Sequence, residues 1–516
     1  MKRIFIFVTI ALCVLFSACT NTPENVTKTN QLPPIFPDYI DVTIPVGIAP
    51  LNFNVLNSES RQTRLDGRIV TDGDKANVIG EVDRVDVIVR GSKEGELHAN
   101  GSWAAFDVED WHGLVSANRG GKLTVTVCAR VDGKWIGYND FDIHISNYDL
   151  DEWGLTYRRI APGYEVYSQM GIYQRDLSSF DEYTIIDNSE VYGMCINCHT
   201  SNRTHPDQFV FHVRGDHGAT MVQQSGRREW LKAINETLGG SMVYPYWHPS
   251  GQYCAFSTNQ TRQGFHITDQ NRIEVFDASS DVFVYNPTTH EIISDSLLST
   301  KDWSENCPVF SPDGKKLYFI TCFQQSYPMH YKDEQYNLCS IDFHPETGTF
   351  GQKVDTLFNA VAMGKSLTWP KPSYDGRFLM FTLLDYGYFS IWHRESEQWL
   401  IDLETGKARP VDEINSNEAD SYHNWSANSR WIVFTSRRDN GLYSQLFLAS
   451  IDENGQATKP FLLPQENPLK YYDETLYSFN TPDFTKDKIN FERSAAYHEI
   501  KSDKRIETTQ RIVSSF

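Results

Sequence analysis

The sequence has no long run of lysine or arginine, although it is 516 residues long. Acidic residues outnumber basic ones by 67 to 47, which makes the formal net charge −20. Nucleic-acid-binding domains usually present a clustered basic face. The charge pattern therefore argues against a nucleic-acid partner and indicates a well-solvated acidic surface.

The motifs of several common enzyme classes are also missing. The chain contains no G-x-S-x-G nucleophile elbow, no H-E-x-x-H zinc helix and no G-x-G-x-x-G dinucleotide loop. We therefore expect no nucleotide cofactor. Hydrolysis by paired carboxylates leaves no such motif, so enzymatic activity stays open, but it is the weaker hypothesis.

Cysteine is scarce in this sequence, and an odd number of cysteines lies beyond residue 19. The seven cysteines are Cys128, Cys195, Cys198, Cys254, Cys307, Cys322 and Cys339. An odd number argues against a complete disulfide framework. The last four lie in or beside strand-like segments, where cysteine usually serves as a buried packing residue.

Residues 1–19, MKRIFIFVTIALCVLFSAC, are typical of a signal peptide. Lys2 and Arg3 form the basic start, a short apolar segment follows, and small residues precede Cys19. The pattern predicts a bacterial lipoprotein signal in which Cys19 becomes the lipidated N-terminus, with an ordinary signal peptide as the alternative. The polar residues 20–34 are then expected to form a flexible tether.

Strand-like segments predict an all-β fold. Residues 35–150 contain several short runs of β-branched residues separated by turns, which favours an immunoglobulin-like β-sandwich. Residues 241–500 are expected to form propeller repeats, with residues 151–240 supplying the first blades or an inserted segment. Residues 501–516 are expected to form a C-terminal tail.

A turn followed by an alternating strand recurs roughly every 60 residues in the second half of the chain. The copies are HPSGQYCAFS, SPDGKKLYFI, SYDGRFLMFT, SANSRWIVFT and, more weakly, TPDFTKDKINF. A second turn leaves a strand within each copy, as in IDLETGKA. These repeats resemble the PD40 or TolB-like class of WD40-like propeller, and the length predicts about six or seven blades.

The segment CINCH matches the C-x-x-C-H pattern of c-type haem attachment. Cys195 and Cys198 would bond to the two vinyl groups of one haem, and His199 would be the proximal ligand of its iron. Attachment takes place outside the cytoplasmic membrane, in agreement with the signal peptide. No second such motif occurs, so a multihaem chain is excluded for this protein alone.

Other interpretations of CINCH stay open. The two cysteines can form a disulfide, bind zinc with His199 and nearby histidines, or be a relic of a lost site. For a distal iron ligand, the segment that follows offers His205, His212, His217 and Met221. We favour His217 because it lies in a flexible GDHG loop.

Several segments together resemble a group of Bacteroidetes envelope lipoproteins that are loosely labelled cytochrome c biosynthesis or TolB-like proteins. They are PPIFPDYIDVTIPVGIAPLNF, CINCH, YPYWHPSG and RIEVFDASSDVFVYN. The resemblance implies an envelope location, a propeller and one haem motif at Cys195, Cys198 and His199. Within it, Trp247–Gly251 and Gly264–His266 can face a haem pocket or pack between blades, and we favour packing.

Two functions from different classes follow from these features. The first is a lipid-anchored outer-membrane protein that carries one c-type haem for electron transfer or redox-linked binding, with a protein redox partner or envelope complex. The second is a non-catalytic propeller that binds a protein or glycan, in which the two cysteines form a disulfide. In both, the N-terminal lipid is the only expected membrane contact. The aromatic segments 323–331 and 383–393 suit a binding surface or the space between blades.

Overall fold

The computed structural model describes residues 23–57, 80–161, 168–232, 240–269, 271–326 and 329–513. Strands dominate these residues, which confirms the all-β prediction. The predicted signal peptide and Cys19 lie outside the described residues. In the described part of the chain, no helix is long and apolar enough to cross a membrane.

Six antiparallel sheets form the blades of a β-propeller. The innermost strand of each blade contacts the innermost strands of both neighbouring blades, so that six strands surround a central channel. From the innermost strand outwards, blade 1 consists of β33 (Ser478–Thr485), β10 (Gly154–Ile160), β11 (Met170–Asp176) and β12 (Glu182–Asp187), and blade 2 of β13 (Cys195–Asn202), β14 (His205–Arg214), β15 (Ala219–Gln224) and β16 (Arg227–Lys232). In the same order, blade 3 consists of β17 (Ser241–Trp247), β18 (Cys254–Phe265), β19 (Ile273–Asn286) and β20 (Glu291–Asp295), and blade 4 of β21 (Trp303–Phe310), β22 (Lys316–Phe323), β23 (Asn337–His344) and β24 (Thr349–Phe358). Blade 5 consists of β25 (Ser366–Pro372), β26 (Phe378–Leu384), β27 (Glu397–Asp402) and β28 (Lys407–Pro410), and blade 6 of β29 (Asp420–Trp425), β30 (Trp431–Ser436), β31 (Gln445–Ser450) and β32 (Phe461–Leu462).

Blade 1 closes the ring, because it combines strands from both ends of the propeller. Its innermost strand β33 comes from the weak TPDF copy and pairs with β10, as in Leu155 opposite Phe484. Closure of this kind removes the exposed sheet edges that an open array would leave. Residues 154–232 are thus blades 1 and 2 of the ring, and the CINCH segment is an innermost strand.

In blades 3 to 6, the repeated turn joins the innermost strand to the second strand of the blade, whereas the predicted TPDF turn lies within strand β33. In SPDG, the hydroxyl of Ser311 donates to the carboxylate of Asp313 at 2.6 Å, and Gly314 adopts a φ of 73°. Ser373 with Asp375 and Ser426 with Asn428 repeat the same bond. A short polar side chain that bonds within its own turn is the usual signature of such a turn.

The N-terminal region forms one seven-stranded sheet and a helix. Within the described residues, it does not show the predicted immunoglobulin-like sandwich. Part of the predicted tether joins the sheet as strand β1. The elements are β1 (Thr27–Lys28), β2 (Ile35–Phe36), β3 (Thr43–Ile44), β4 (Asn54–Val55), β5 (Val82–Gly91), β6 (Glu96–Gly101), α1 (Val108–Ala117), β7 (Lys122–Val131), β8 (Lys134–Gly137) and β9 (Phe141–Ile145), of which β2 and β4 pair separately.

The N-terminal sheet and blade 6 share one apolar core. Tyr39, Ile44 and Val125 belong to the same buried cluster as Trp431 and Leu446 of blade 6. Alternate residues of β7 are buried, so one face of the sheet supplies this core. The N-terminal region is therefore packed against the propeller through apolar side chains.

The C-terminal residues add outer elements to the ring. Helix α2 (Pro468–Glu474) precedes β33, helix α3 (Arg493–Lys501) packs on blades 1 and 2, and β34 (Thr509–Val513) joins blade 3 beside β20. The last described residues are thus part of a sheet, and not a free tail. Three single-turn helices lie in loops: Tyr331–Asp333, Val361–Met363 and Ser390–Trp392.

Candidate functional site: the central channel

A β-bulge interrupts the innermost strand of every blade at the same place. The bulge residue has a φ between 47° and 54° in all six strands, although none is glycine. Other residues rarely adopt this conformation. The six bulge residues are Cys198, Tyr244, Cys307, Trp369, Tyr422 and Thr481. Their recurrence makes the bulge a feature of the blade repeat.

The residue after the bulge is a proline in four blades and a histidine, His199 or His423, in the other two. Burial lowers the pKa of each imidazole to about 3. The backbone of Thr156 in blade 1 partly offsets the lowering of the pKa of His199. The backbone of Met380 in blade 5 does the same for His423. Each ring therefore packs toward the preceding blade, and His199 occupies the position that proline holds elsewhere.

The bulges surround a cavity of about 550 Å³ in the central channel. Its lining is rich in cations and aromatic rings. The lining cations are Arg158, Arg214, Arg262, Lys371 and Arg437, whereas Asp483 is the one carboxylate found among the described lining residues. The lining rings include Tyr244, Phe265, Trp369, Phe389, Trp392 and Tyr422. The cavity is therefore electropositive and has aromatic walls.

Lys371 is a buried ammonium group in this wall. The residue is only 7% exposed, and its Nζ has no hydrogen bond or ion pair with any described residue. The Nζ lies 4.7 Å from the centre of the Tyr246 ring and 5.1 Å from that of Trp369. Burial lowers its pKa to about 8, and the charge of Asp483 opposes this shift. Its donors remain available to a ligand.

Asp483 ties three blades together at the channel wall. Its Oδ2 accepts hydrogen bonds from the hydroxyl of Thr200 at 3.1 Å and the amide of Ser201 at 2.9 Å. Its Oδ1 accepts one from Asn424 at 2.8 Å. Burial raises the pKa of Asp483 to about 6, although these donors favour the charged form. The carboxylate is therefore occupied by the protein itself.

Arg203 closes the channel at the end where the repeated turns lie. Its guanidinium donates to the carbonyl of Pro312 in blade 4 at 2.6 Å. It also lies 5.5 Å from the centre of the Tyr374 ring in blade 5. Because Arg203 belongs to blade 2, its side chain spans the channel. We call this the turn end, and the opposite one the loop end.

The structure places the predicted haem residues in this wall. Cys195 and Cys198 are free thiols in this structure, and burial raises the pKa of Cys198. The described residues contain no cluster of three metal-binding side chains. Neither nitrogen of His199 has a hydrogen-bond partner of normal geometry.

The arrangement does not fit attachment of one haem by all three residues. Cys195 pairs with Arg214 on one face of the blade 2 sheet, whereas Ile196 and Phe209 lie on the other face, which packs against blade 1. The ring of His199 lies 6.1 Å from that of Phe209, on this second face. Cys195 and His199 therefore point to opposite sides of the sheet.

The structure does not bring the candidate distal ligands to His199. The Nδ1 of His217 lies 2.8 Å from Asp503 in the C-terminal segment, at the surface. The Nδ1 of His212 lies 3.0 Å from the hydroxyl of Thr220, inside blade 2. The Nδ1 atoms of both histidines thus contact side chains outside the channel. His205 is exposed at the start of β14, and Met221 is buried in β15.

Sequence reasoning missed the cavity lining, although a signal was present. In blades 3 to 6, the bulge residue precedes the first residue of the repeated turn by the same distance, as Cys307 precedes Ser311 and Trp369 precedes Ser373. Aligning the segments before the turns would have placed Cys198 beside Cys307. The cations come from different strands and loops, so their convergence leaves no pattern in the sequence.

No family model matches the chain. A segment of 152 residues is 28% identical to "Probable dipeptidyl-aminopeptidase B" of Penicillium rubens. The matched segment covers 28% of this chain and 16% of that protein. The chain thus spans about one sixth of the length of this curated relative.

Among solved structures, the chain is similar to a periplasmic gluconolactonase of Pseudomonas aeruginosa, with 14% identity, a TM-score of 0.36 and coverage of 78% of this chain and 99% of that one. It is also similar to a puromycin-hydrolysing peptidase of Mycobacterium tuberculosis, with 12% identity, a TM-score of 0.34 and coverage of 83% and 57%. These likenesses do not assign a reaction to this chain.

Proposed function

We propose that the protein is a non-catalytic binding propeller whose central cavity holds a small organic anion, such as a carboxylated sugar. The observation that carries the proposal is the buried ammonium group of Lys371, which faces the cavity without a hydrogen-bond partner among the described residues. A buried cation is costly unless it is paired, so an anionic ligand would supply the missing partner.

The rest of the lining supports the same ligand class. The cations around the cavity face a single described carboxylate, Asp483, whose hydrogen bonds already go to the protein. The net positive potential favours an anion. Aromatic rings such as Trp369 and Trp392 offer flat apolar surfaces to the ring of a sugar or a similar molecule.

Arg437 gives the cavity a second fixed cation. Its guanidinium lies 3.5 Å from the centre of the Trp392 ring, and its Nε donates to the carbonyl of Ile391 at 2.6 Å. Burial lowers its pKa to about 9. Arg437 is thus held in place before a ligand arrives, which reduces the entropy lost on binding.

The experiment is calorimetry of the purified protein with a panel of uronic acids, aldonic acids and small dicarboxylates, beside their neutral analogues. We expect acids to bind and Lys371→Met to weaken the best of them about tenfold or more, because a charge-assisted hydrogen bond is lost. Lys353→Met is the matched control, since its side chain is 79% exposed. Equal binding of neutral analogues, or no binding of any acid, contradicts the proposal.

The pH dependence of affinity provides a further check on Lys371. The ammonium group is charged below its pKa of about 8, so affinity should be high at pH 7 and fall as the pH rises through 8. The Lys371→Met variant should lack this fall. An identical pH profile in both proteins contradicts the role of Lys371.

The cellular location is proposed from the sequence alone. The lipoprotein signal at residues 1–19 supports a lipid anchor at Cys19 in the outer membrane. Such an anchor would hold the propeller beside an envelope partner or glycan. Metabolic labelling with a fatty acid, abolished by Cys19→Ala, tests the anchor. The covalent haem stays a prediction that the geometry at Cys195 and His199 does not favour.

A further inference from the structure

The hairpin of blade 3 is longer than those of the other blades. Strands β18 and β19 continue to pair from Thr261 with Asp277 to Phe265 with Ile273, beyond the start of the innermost strand β17. A register shift between Asn259 and Thr261 separates this extension from the blade. Bulges bend a strand and are natural places for a hinge. We call residues 262–269 and 271–274 the hairpin tip.

The hairpin tip covers the loop end of the cavity. Arg262, Gln263, Phe265 and Ile273 line the cavity from this side. Phe389, Ile391 and Trp392, in the loop formed by residues 385–396 of blade 5, line it beside them. Arg203 spans the turn end, and the hairpin tip and the blade 5 loop meet at the opposite, loop end of the cavity.

One buried polar cluster joins these two segments. The Nε2 of His393 lies 3.3 Å from Glu274 of the hairpin tip, and its Nδ1 lies 3.0 Å from Glu395. The hydroxyl of Tyr386 donates to Glu274 at 2.6 Å, and the Nε2 of His266 lies 3.4 Å from the same carboxylate. His393 and Glu274 are almost fully buried. We call this cluster the latch.

The apex of the hairpin has little apolar support of its own. Ile267, at the apex, is 91% exposed. Val275 and Phe276, by contrast, are buried at the base of the hairpin. Segments held by few apolar contacts open at low cost, so the latch carries much of the energy that keeps the tip closed.

We propose that the hairpin tip is a gate over the cavity and that the ion pairs of His393 with Glu274 and Glu395 hold it closed. The gate concerns access to the anion site and to that extent rests on the proposed function. Its test uses no anion, so either proposal can fail without the other.

The charge state of the latch sets its strength. Burial opposes charging of His393, but its hydrogen bonds to Glu274 and Glu395 prevail and raise its pKa to about 9. The latch is therefore at full strength below the ordinary histidine pKa of about 6.5 and weakens as the pH rises through 9. The other titratable and charged groups around it are His266, which follows β18, Arg394 paired with Glu418, and Lys332 over the Tyr386 ring.

Cavity thiols provide a direct probe of the gate. Cys198 and Cys307 line the cavity, whereas Cys128 lies in the N-terminal sheet, and Cys254 and Cys339 lie buried in blades 3 and 4. The experiment labels the folded protein with N-ethylmaleimide at pH 7 and measures each cysteine by peptide mass spectrometry. Cys128 is the internal reference.

We expect Glu274→Gln and His393→Gln to label Cys198 and Cys307 about tenfold faster than the wild type, because one charge-assisted contact is lost. Cys254 and Cys339 should be unchanged. Glu346→Gln, at an exposed position, is the control. Unchanged rates at the cavity thiols overturn the proposal.

If a variant unfolds, all of its thiols react faster and the comparison is no longer informative. A second measurement on the wild type then tests the proposal. In the wild type, the ratio of Cys198 labelling to Cys128 labelling is compared at pH 7 and at pH 9.5. A rise in this ratio at the higher pH supports the latch, and a constant ratio overturns it.

Discussion

At the scale of single residues, burial rather than sequence neighbourhood sets the chemistry of this protein. His199 and His423 are far apart in the chain, yet both have a pKa near 3, because both are desolvated at the same position of a blade. His393 has a pKa of about 9, because two carboxylates surround it. The same kind of side chain therefore has opposite pKa shifts at His199 and His393, because burial prevails at one and carboxylates surround the other.

Glu334 gives a prediction at this scale. Burial raises its pKa to about 8, and nearby Asp277 adds to the shift. A carboxyl with a raised folded-state pKa stabilises the fold below its unfolded pKa and loses this contribution as the pH rises through about 8. We expect the wild type to lose roughly 4 kcal/mol of unfolding free energy at this group between pH 4 and pH 9.

The test is urea unfolding from pH 4 to pH 9. Glu334→Gln should show a flatter stability profile than the wild type, and Glu346→Gln should match the wild type. Glu305, whose pKa is also raised to about 8, will leave a residual slope. A Glu334→Gln profile as steep as that of the wild type would show that the group titrates outside this range.

At the scale of the element, the innermost strand is a repeated unit that includes part of the CINCH segment. The bulge residue, the proline or histidine after it and the turn that follows recur in order in blades 3 to 6. Cys198 and His199 match this unit, whereas Cys195 lies outside it. The repeat thus offers a structural reason for Cys198 and His199 at these positions that does not involve a cofactor.

The repeat predicts that His199→Pro is tolerated. Four blades already hold proline at this position, so the backbone there suits its fixed φ. We expect the unfolding free energy at pH 7 to change by less than ~1 kcal/mol. Below the ordinary histidine pKa of about 6.5, the variant should be more stable than the wild type, because a buried neutral histidine loses stability as it must become charged.

Thr200→Pro is the matched control, since Thr200 pairs with Val210 in the sheet and no blade has proline at that position. It should unfold the protein or lower its stability strongly. Expression with c-type maturation machinery completes the test. A c-type haemochrome in the wild type that disappears in His199→Pro would contradict this interpretation and restore the haem hypothesis.

At the scale of the whole molecule, closure of the ring creates the cavity. Strand β33 is the innermost strand of blade 1, and Asp483 within it bonds to blade 2 and blade 6. The N-terminal sheet shares an apolar core with blade 6 and supports the ring from outside. Opening the ring would expose sheet edges and remove one wall of the channel.

Truncation tests closure. A chain that ends after Leu476 lacks β33, and we expect it to aggregate or to lose cooperative unfolding in thermal circular dichroism. A chain that ends after Thr508 lacks only β34, an outer strand of blade 3, and should unfold cooperatively like the full chain. Cooperative folding of the shorter chain would show that the other strands are sufficient.

The sequence by itself determined the all-β class, the propeller and the approximate number of blades, because turn and strand patterns are local and repeat along the chain. It also contained the bulge repeat, which an alignment of the blades reveals. The predicted N-terminal sandwich is not shown by the described residues, because pairing partners such as β7 with β8 and β9 depend on tertiary packing. The cavity, the cluster around His393 and the surroundings of the CINCH residues appear only in the tertiary structure. Lys371, Asp483, Glu274 and His393 meet across different blades, and their burial, which sets their charge, exists only once the ring has closed.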